Sequence, residues 1–139
     1  MLKYSKQRES IKAFLATRTD HPTADTVYLN LRQTIPNISL GTVYRNLSLL
    51  VSTGDIVKIS CADNIDRFDA NTAPHYHCMC SRCGSVHDLP MEVMTDLNTR
   101  AENYFDGVVN QHHIMFYGTC RECLSSDKQF DSTNPDTLH

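Results

Sequence analysis

The sequence predicts an α+β protein made of two successive units. Three observations carry that prediction. Apolar residues recur at helical spacing in three segments before residue 54, and short β-prone runs follow at once. The later half then carries two Cys-x-x-Cys pairs separated by just enough chain for a strand, a helix and a strand. The boundaries expected are 1–70 for the first unit, 71–75 for a hinge, 76–124 for the second unit and 125–139 for a flexible tail.

The first helix is expected over Ser5 to Thr17, where Ile11, Phe14 and Leu15 share a face while Lys6, Arg8 and Lys12 stay outside. His21-Pro22-Thr23 breaks it, and Thr23 caps a second helix carrying Ala24, Val27, Tyr28 and Leu31 on one face. Ile35-Pro36-Asn37 interrupts again. Ser39 caps a third helix whose buried stripe is Leu40, Val43, Leu47 and Leu50, and Thr53-Gly54 stops it. The runs DIVKISCA and DRFDA, turned at Asp63-Asn64, read as a hairpin. Three helices and a hairpin make a winged-helix layout. After the linker NTAPH, strands are expected near Tyr76–Met79, Val86–Leu89 and Val108–Phe116, with a helix from Glu92 to Tyr104. The tail after Leu124 is polar and contains a Pro-Asp turn, a composition that suits disorder.

The 139 residues carry a net charge of −3, which by itself argues against nucleic acid as a partner. The two halves disagree, however. Residues 1–60 balance at +4 and residues 61–139 at −7, so a front half suited to phosphate precedes a back half suited to cations. No apolar run approaches a membrane span, and the opening MLKYSKQRES lacks the apolar stretch of a signal peptide, so a soluble cytoplasmic protein without a membrane partner is expected.

In SLGTVYRNLSLL the side chains of Thr42, Tyr44, Arg45 and Ser48 fall off the apolar stripe. Tyr44 offers a flat face to a thymine methyl, and Arg45 can bond guanine edges or phosphate. Lys58, in the hairpin, can reach backbone phosphate. An ordinary solvated helix face is the competing account, and the basic balance and the hairpin favour DNA.

Cys80-Ser81-Arg82-Cys83-Gly84 has the form of a zinc knuckle: the spacer turns both sulfurs to one side, and Gly84 permits the left-handed residue that follows. Cys120 and Cys123 supply a second pair, and four thiolates suit closed, structural, tetrahedral Zn2+. Two redox dithiols are the alternative. Cys61 and Cys78 read as small buried apolar residues. His75 and His77 lie on one side of an extended strand, with Asp69 and Asp88 near in sequence, and mixed imidazole and carboxylate donors suit manganese, ferrous iron or zinc. His87, His112 and His113 are either further ligands or surface histidines.

HPTADTVY, SLGTVYRNL, RFD, HYHCMCSRCG and FYGTCREC occur in the order expected of the ferric uptake regulator family, and the chain resembles its peroxide-responsive repressors most. The resemblance implies an N-terminal winged-helix DNA-binding domain followed by a small α/β dimerisation domain with a four-cysteine zinc site. It implies a transcriptional repressor rather than an enzyme, acting as a homodimer on double-stranded operator DNA. The regulatory Fe2+ or Mn2+ ligands it implies are His21, Asp69, His75, His77 and Asp88. His21 or His75 is the imidazole that iron-catalysed reaction with hydrogen peroxide would oxidise. Asp69 favours the peroxide sensors over the iron-uptake regulators, which more often resemble glutamate there; Arg45 resembles the iron-responsive members. The chain starts late relative to many relatives, and Pro74 and Tyr76 replace residues that often hold a further metal, so no third site is expected despite His112. An iron- or zinc-responsive uptake repressor is the alternative within the family. A small metallohydrolase, for which no general base motif is visible, and a zinc-stabilised module without DNA binding are the alternatives outside it.

Overall fold

A computed structural model of the chain describes residues 5–130, with side chains through 126. It divides between Ala73 and Pro74 into two compact units.

The first unit opens with α1 (Lys6–Ala16), α2 (Ala24–Leu31) and α3 (Leu40–Ser52). Each starts at a hydroxyl cap. Ser5, Thr23 and Ser39 accept from the backbone N–H three residues on, which satisfies a donor that the first turn of a helix leaves unpaired. Gly54, at φ 80°, follows the last turn of α3 in the left-handed region where a side chain would be strained. The strands β1 (Val57–Ile59) and β2 (Arg67–Asp69) pair antiparallel, with Lys58 opposite Phe68. Their connection turns at Asn64, whose φ of 61° asparagine tolerates better than most residues.

The apolar faces meet as the periodicity requires. Ile11, Leu15, Val27, Leu31, Val43, Leu47 and Leu50 join Ile38, Ile56 and Phe68 in one core. Leu40, expected in the stripe of α3, is only half-buried because it lies in the first turn, at the rim of that core.

The second unit is a three-stranded sheet in the order β4-β3-β5, from β3 (Tyr76–Cys80), β4 (Val86–Leu89) and β5 (Met115–Gly118), with α4 (Asp96–Glu102) between β4 and β5. β3 pairs antiparallel with β4 and parallel with β5. Among the described residues its buried apolar side chains are few: Tyr76, Met79, Cys80 and Val86.

Three boundaries depart from expectation. The helix expected over 92–104 contracts to Asp96–Glu102, because the Met94 N–H ahead of it donates to the Tyr76 hydroxyl instead of entering the helical ladder. The strand expected over 108–116 lies at 115–118, where parallel pairing sets Gly118 opposite Cys80 and so brings the second cysteine pair beside the first. The tail expected from residue 125 instead begins as helix, since α5 (Arg121–Phe130) runs on from the second cysteine motif; residues 131–139 lie outside the described residues. No helix among the described residues is long and apolar enough to cross a membrane.

Candidate metal centres

Cys80 ends β3, Cys83 follows it in a tight turn closed by the Gly84 N–H donating to the Cys80 carbonyl at 2.8 Å, and Gly84 stands at φ 78°. Cys120 and Cys123 sit at the start of α5, brought alongside by β5. The four sulfurs lie within 4.8 Å of one another, and Cys83 and Cys120 are 3.8 Å apart. Sulfurs about 2.3 Å from a tetrahedral zinc ion stand about 3.8 Å apart, the separation of Cys83 and Cys120, so the type and clustering of these donors suit zinc.

Their proton affinities are spread by their contacts. Burial alone would raise the Cys80 thiol, but backbone N–H groups of Cys83, Cys120 and Arg82 aimed at its sulfur outweigh that and bring it down to about 6. The Cys120 N–H is 3.3 Å from that sulfur. The Ser85 hydroxyl is the largest influence lowering Cys83. Cys123, beside Cys120 and then the other two sulfurs, is pushed up to about 12. Four crowded thiols cannot all ionise unaided, and a divalent ion is the natural counter-charge.

Of the two remaining cysteines, Cys61 is buried, as expected of a small apolar residue, and burial pushes its thiol up. Cys78 is only half-buried, on the face of β3 opposite His77 and Met79.

In the first unit His21 and Asp69 are both buried, with His21 Nε2 3.2 Å from Asp69 Oδ2. The local chain explains the meeting. The Phe68 N–H donates to the Pro22 carbonyl at 3.0 Å and Thr23 bridges to Arg67, so the segment after α1 runs along β2 as a third partner. His21 itself has φ 56°, a left-handed conformation unfavourable for a residue with a side chain and one that tends to mark functional positions. Asp69 Oδ1 also accepts from the Asn71 N–H at 2.9 Å.

In the second unit β3 presents His77 opposite Asp88 of β4. His75 Nε2 and His77 Nε2 stand 3.0 and 3.3 Å from the same oxygen, Asp88 Oδ1, and the two rings are 4.3 Å apart between centroids. Ligands held about 2.1 Å from one ion at right angles lie about 3 Å apart, so the spacing suits a shared cation. Of the other histidines, His112 is bonded to Asn98 and the Tyr76 hydroxyl, His87 points to Ser85, and His113 is exposed.

On α3, Tyr44, Arg45 and Ser48 are exposed and Thr42 is half-buried; Lys58 on β1 is exposed as well. Arg45 donates to Thr42 Oγ1 at 3.0 Å, which in turn accepts from Ser39 Oγ at 2.9 Å. The cap of the helix thereby orders the side chains at its outward end. What sequence reasoning missed is this ordering, together with the Ser85 contact to Cys83; neither has a signature beyond a serine near its partner.

A three-helix and hairpin unit joined to a unit bearing thiolate and imidazole–carboxylate clusters defines a metal-dependent DNA-binding regulator. Residues 1–117 match the ferric uptake regulator family, and the chain belongs to it. It is 34% identical over 122 residues to the peroxide-responsive repressor PerR of Staphylococcus aureus, covering 88% of this chain and 82% of that protein. The peroxide stress regulator of Campylobacter jejuni superposes with a TM-score of 0.72 at 29% identity, covering 84% of this chain and 88% of that one. The Helicobacter pylori ferric uptake regulator Fur shares the fold, with a TM-score of 0.77 at 22% identity over 96% of this chain and 85% of that one. Membership makes this chain a metal-responsive, homodimeric, operator-binding repressor and not an enzyme. Family membership implies structural zinc and regulatory iron or manganese as cofactors, and the described residues offer a four-cysteine group and histidine–aspartate clusters that could hold such ions.

Proposed function

We propose that this repressor acts in the cytoplasm and responds to hydrogen peroxide. Its zinc is held by Cys80, Cys83, Cys120 and Cys123, and its regulatory ion by His21, Asp69, His75, His77 and Asp88. The observation that carries this reading is the pair of histidine–aspartate clusters, one in each unit, each with ligand-like spacing and an imidazole–carboxylate composition. Similarity to proteins described as peroxide-responsive supports the choice of signal.

In this reading each unit contributes part of one ligand set. His21 and Asp69 belong to the DNA-binding unit, and His75, His77 and Asp88 to the dimerisation unit. An ion that binds only when both contributions face it favours the arrangement of units in which they do, and with it the operator-binding dimer. Thr42, Tyr44, Arg45 and Lys58 then meet the DNA, the first three from the recognition helix and Lys58 from the wing. Ferrous iron, if bound there, would activate peroxide for a two-electron oxidation of a ligand: one peroxide oxygen passes to an imidazole carbon, which supplies the two electrons, and the other leaves as water. His21 or His75 would be the imidazole that takes up the oxygen atom, and an oxidised ring no longer donates its nitrogen in the same way. Losing either ligand unties one unit from the other and frees the operator.

The test loads the protein anaerobically with ferrous iron or with manganese, adds low peroxide, and follows binding to a duplex selected from a random pool by the manganese form. Peptide masses are read in parallel. Loss of binding by the iron form alone, with one oxygen gained on the peptide bearing His21 or His75, is the expected result. Unmodified protein that keeps binding in both forms moves the function to an iron- or zinc-responsive uptake repressor, the reading that Arg45 favours.

A further inference from the structure

Among the four clustered cysteines Cys83 is the exposed one, while Cys80 is buried and Cys120 and Cys123 are half-buried. A second structure surrounds its sulfur. Ser85 Oγ lies 3.0 Å from Cys83 Sγ, and His87 Nε2 lies 2.9 Å from the same Ser85 oxygen. The backbone builds this line. Gly84, in its left-handed conformation, turns the chain between Cys83 and Ser85, and the two-residue period of the strand then sets Ser85 and His87 on one side, with buried Val86 on the other.

The inventory of donors fixes the direction of the line once a metal is present. A metal-bound cysteine sulfur is a thiolate and can only accept. The single hydroxyl proton of Ser85 must therefore point at Cys83, which leaves the Ser85 oxygen to accept from His87 and requires a hydrogen on Nε2. The order is His87 to Ser85 to Cys83, each group holding the next.

We propose that Ser85, oriented by His87, is a positioning residue for the metal-bound thiolate of Cys83 and sets how firmly the exposed corner of the zinc site keeps its ion. The inference rests on the zinc reading above. A charge-assisted O–H to sulfur bond fixes the direction of the thiolate and occupies the sulfur lone pair on the side from which water or a chelator approaches. The buried Cys80 sulfur has the Cys120 N–H instead and needs no such cover.

The experiment uses full-length, zinc-loaded protein and measures the rate at which a chromophoric chelator takes the metal at fixed pH. Thiol alkylation, read peptide by peptide, identifies which cysteine is released first. Ser85→Ala should lose zinc about 10-fold or more faster, the scale on which outer-shell partners act on metal affinity. It should also label Cys83 ahead of Cys80, Cys120 and Cys123. Ser85→Thr, which keeps the hydroxyl, should stay within about 2-fold of the parent, and His87→Ala should fall between the two, as expected when an orienting group is removed but the hydroxyl remains. A parent-like rate for Ser85→Ala, release as fast for Ser85→Thr as for Ser85→Ala, or labelling of all four cysteines together overturns the proposal. A parent protein that binds no zinc at all fails the zinc reading itself, which metal analysis before the assay distinguishes.

Discussion

Stripping zinc should unfold the second unit and leave the first standing. The first unit has a core of its own, in which Ile11, Leu15, Val27, Val43, Leu47, Leu50, Ile56 and Phe68 are all buried. Among its described residues the second buries Tyr76, Met79 and Val86 besides the Cys80 ligand. At about 1.5–3 kcal/mol for each large apolar side chain withdrawn from water, those three supply on the order of 6 kcal/mol. Zinc held by thiolates contributes on the order of 10 kcal/mol to folding in small zinc domains, more than these three side chains supply. Zinc coordination would also tie β3 to β5, since Cys80 ends β3 and Cys83 follows it while Cys120 and Cys123 follow β5. The assay is hydrogen exchange on the zinc-loaded protein, on protein stripped under reducing conditions, and on Cys120→Ser. Amides of β3 and β5 should lose protection in the last two, while those of α1 to α3 keep it. Retained protection in β3 and β5 with zinc shown to be absent would refute the reasoning, because the sheet would then be held by its own side chains.

Two further outcomes follow from the first unit. Ser39→Ala removes the cap bonded to the Thr42 N–H at 3.1 Å and should lower stability by about 1 kcal/mol in urea titration. Because Thr42 and Arg45 are linked to that cap, the same variant should weaken operator binding while leaving zinc content unchanged. Asp63 is held below the usual carboxylate range, first by the Arg67 guanidinium, which donates to its two oxygens at 3.3 and 2.9 Å. A depressed carboxyl contributes stability that is fully present above its unfolded value and is lost as pH falls through the folded one. Exchange protection in the hairpin loop should therefore be constant from about pH 8 to 5 and fail only well below pH 4, the range of an ordinary aspartate. Loss beginning near pH 6 would assign the loop to a different group.

Much of the fold is readable because burial in the first unit is local. In α3 the spacing of Val43, Leu47 and Leu50 names the inner face, and Ser39 and Gly54 name the ends, since caps act within one turn. The second unit resists the same reading. Its α4 buries no residue, so no apolar stripe marks where it begins, and its start is set by a hydrogen bond from Met94 to Tyr76, eighteen residues away in sequence. β5 is fixed by parallel pairing with β3, a long-range partnership that leaves a weak local mark. Residues 125–130 extend α5 although their composition is that of a polar tail, because the cysteine motif has already started the helix.

The candidate sites divide along the same line. Two cysteines three positions apart, or two histidines two apart on a strand, are local geometries, so Cys80 with Cys83 and His75 with His77 show themselves in the sequence. His21 and Asp69 meet for a different reason. Their contact needs the chain after α1 to lie along β2 and needs a left-handed residue at His21, a conformation that no histidine advertises. Only a resemblance could single out that pair, and the structure then supplies its physical reason. The strained backbone places a buried imidazole against a buried carboxylate, and neither side chain does anything for the apolar core. Burying such a polar pair is costly unless it is compensated, and a protein that sought stability alone would gain more from apolar residues at both positions. Retaining the pair makes sense if its value lies in binding a cation that is sometimes present and sometimes not, which is what a regulatory site requires.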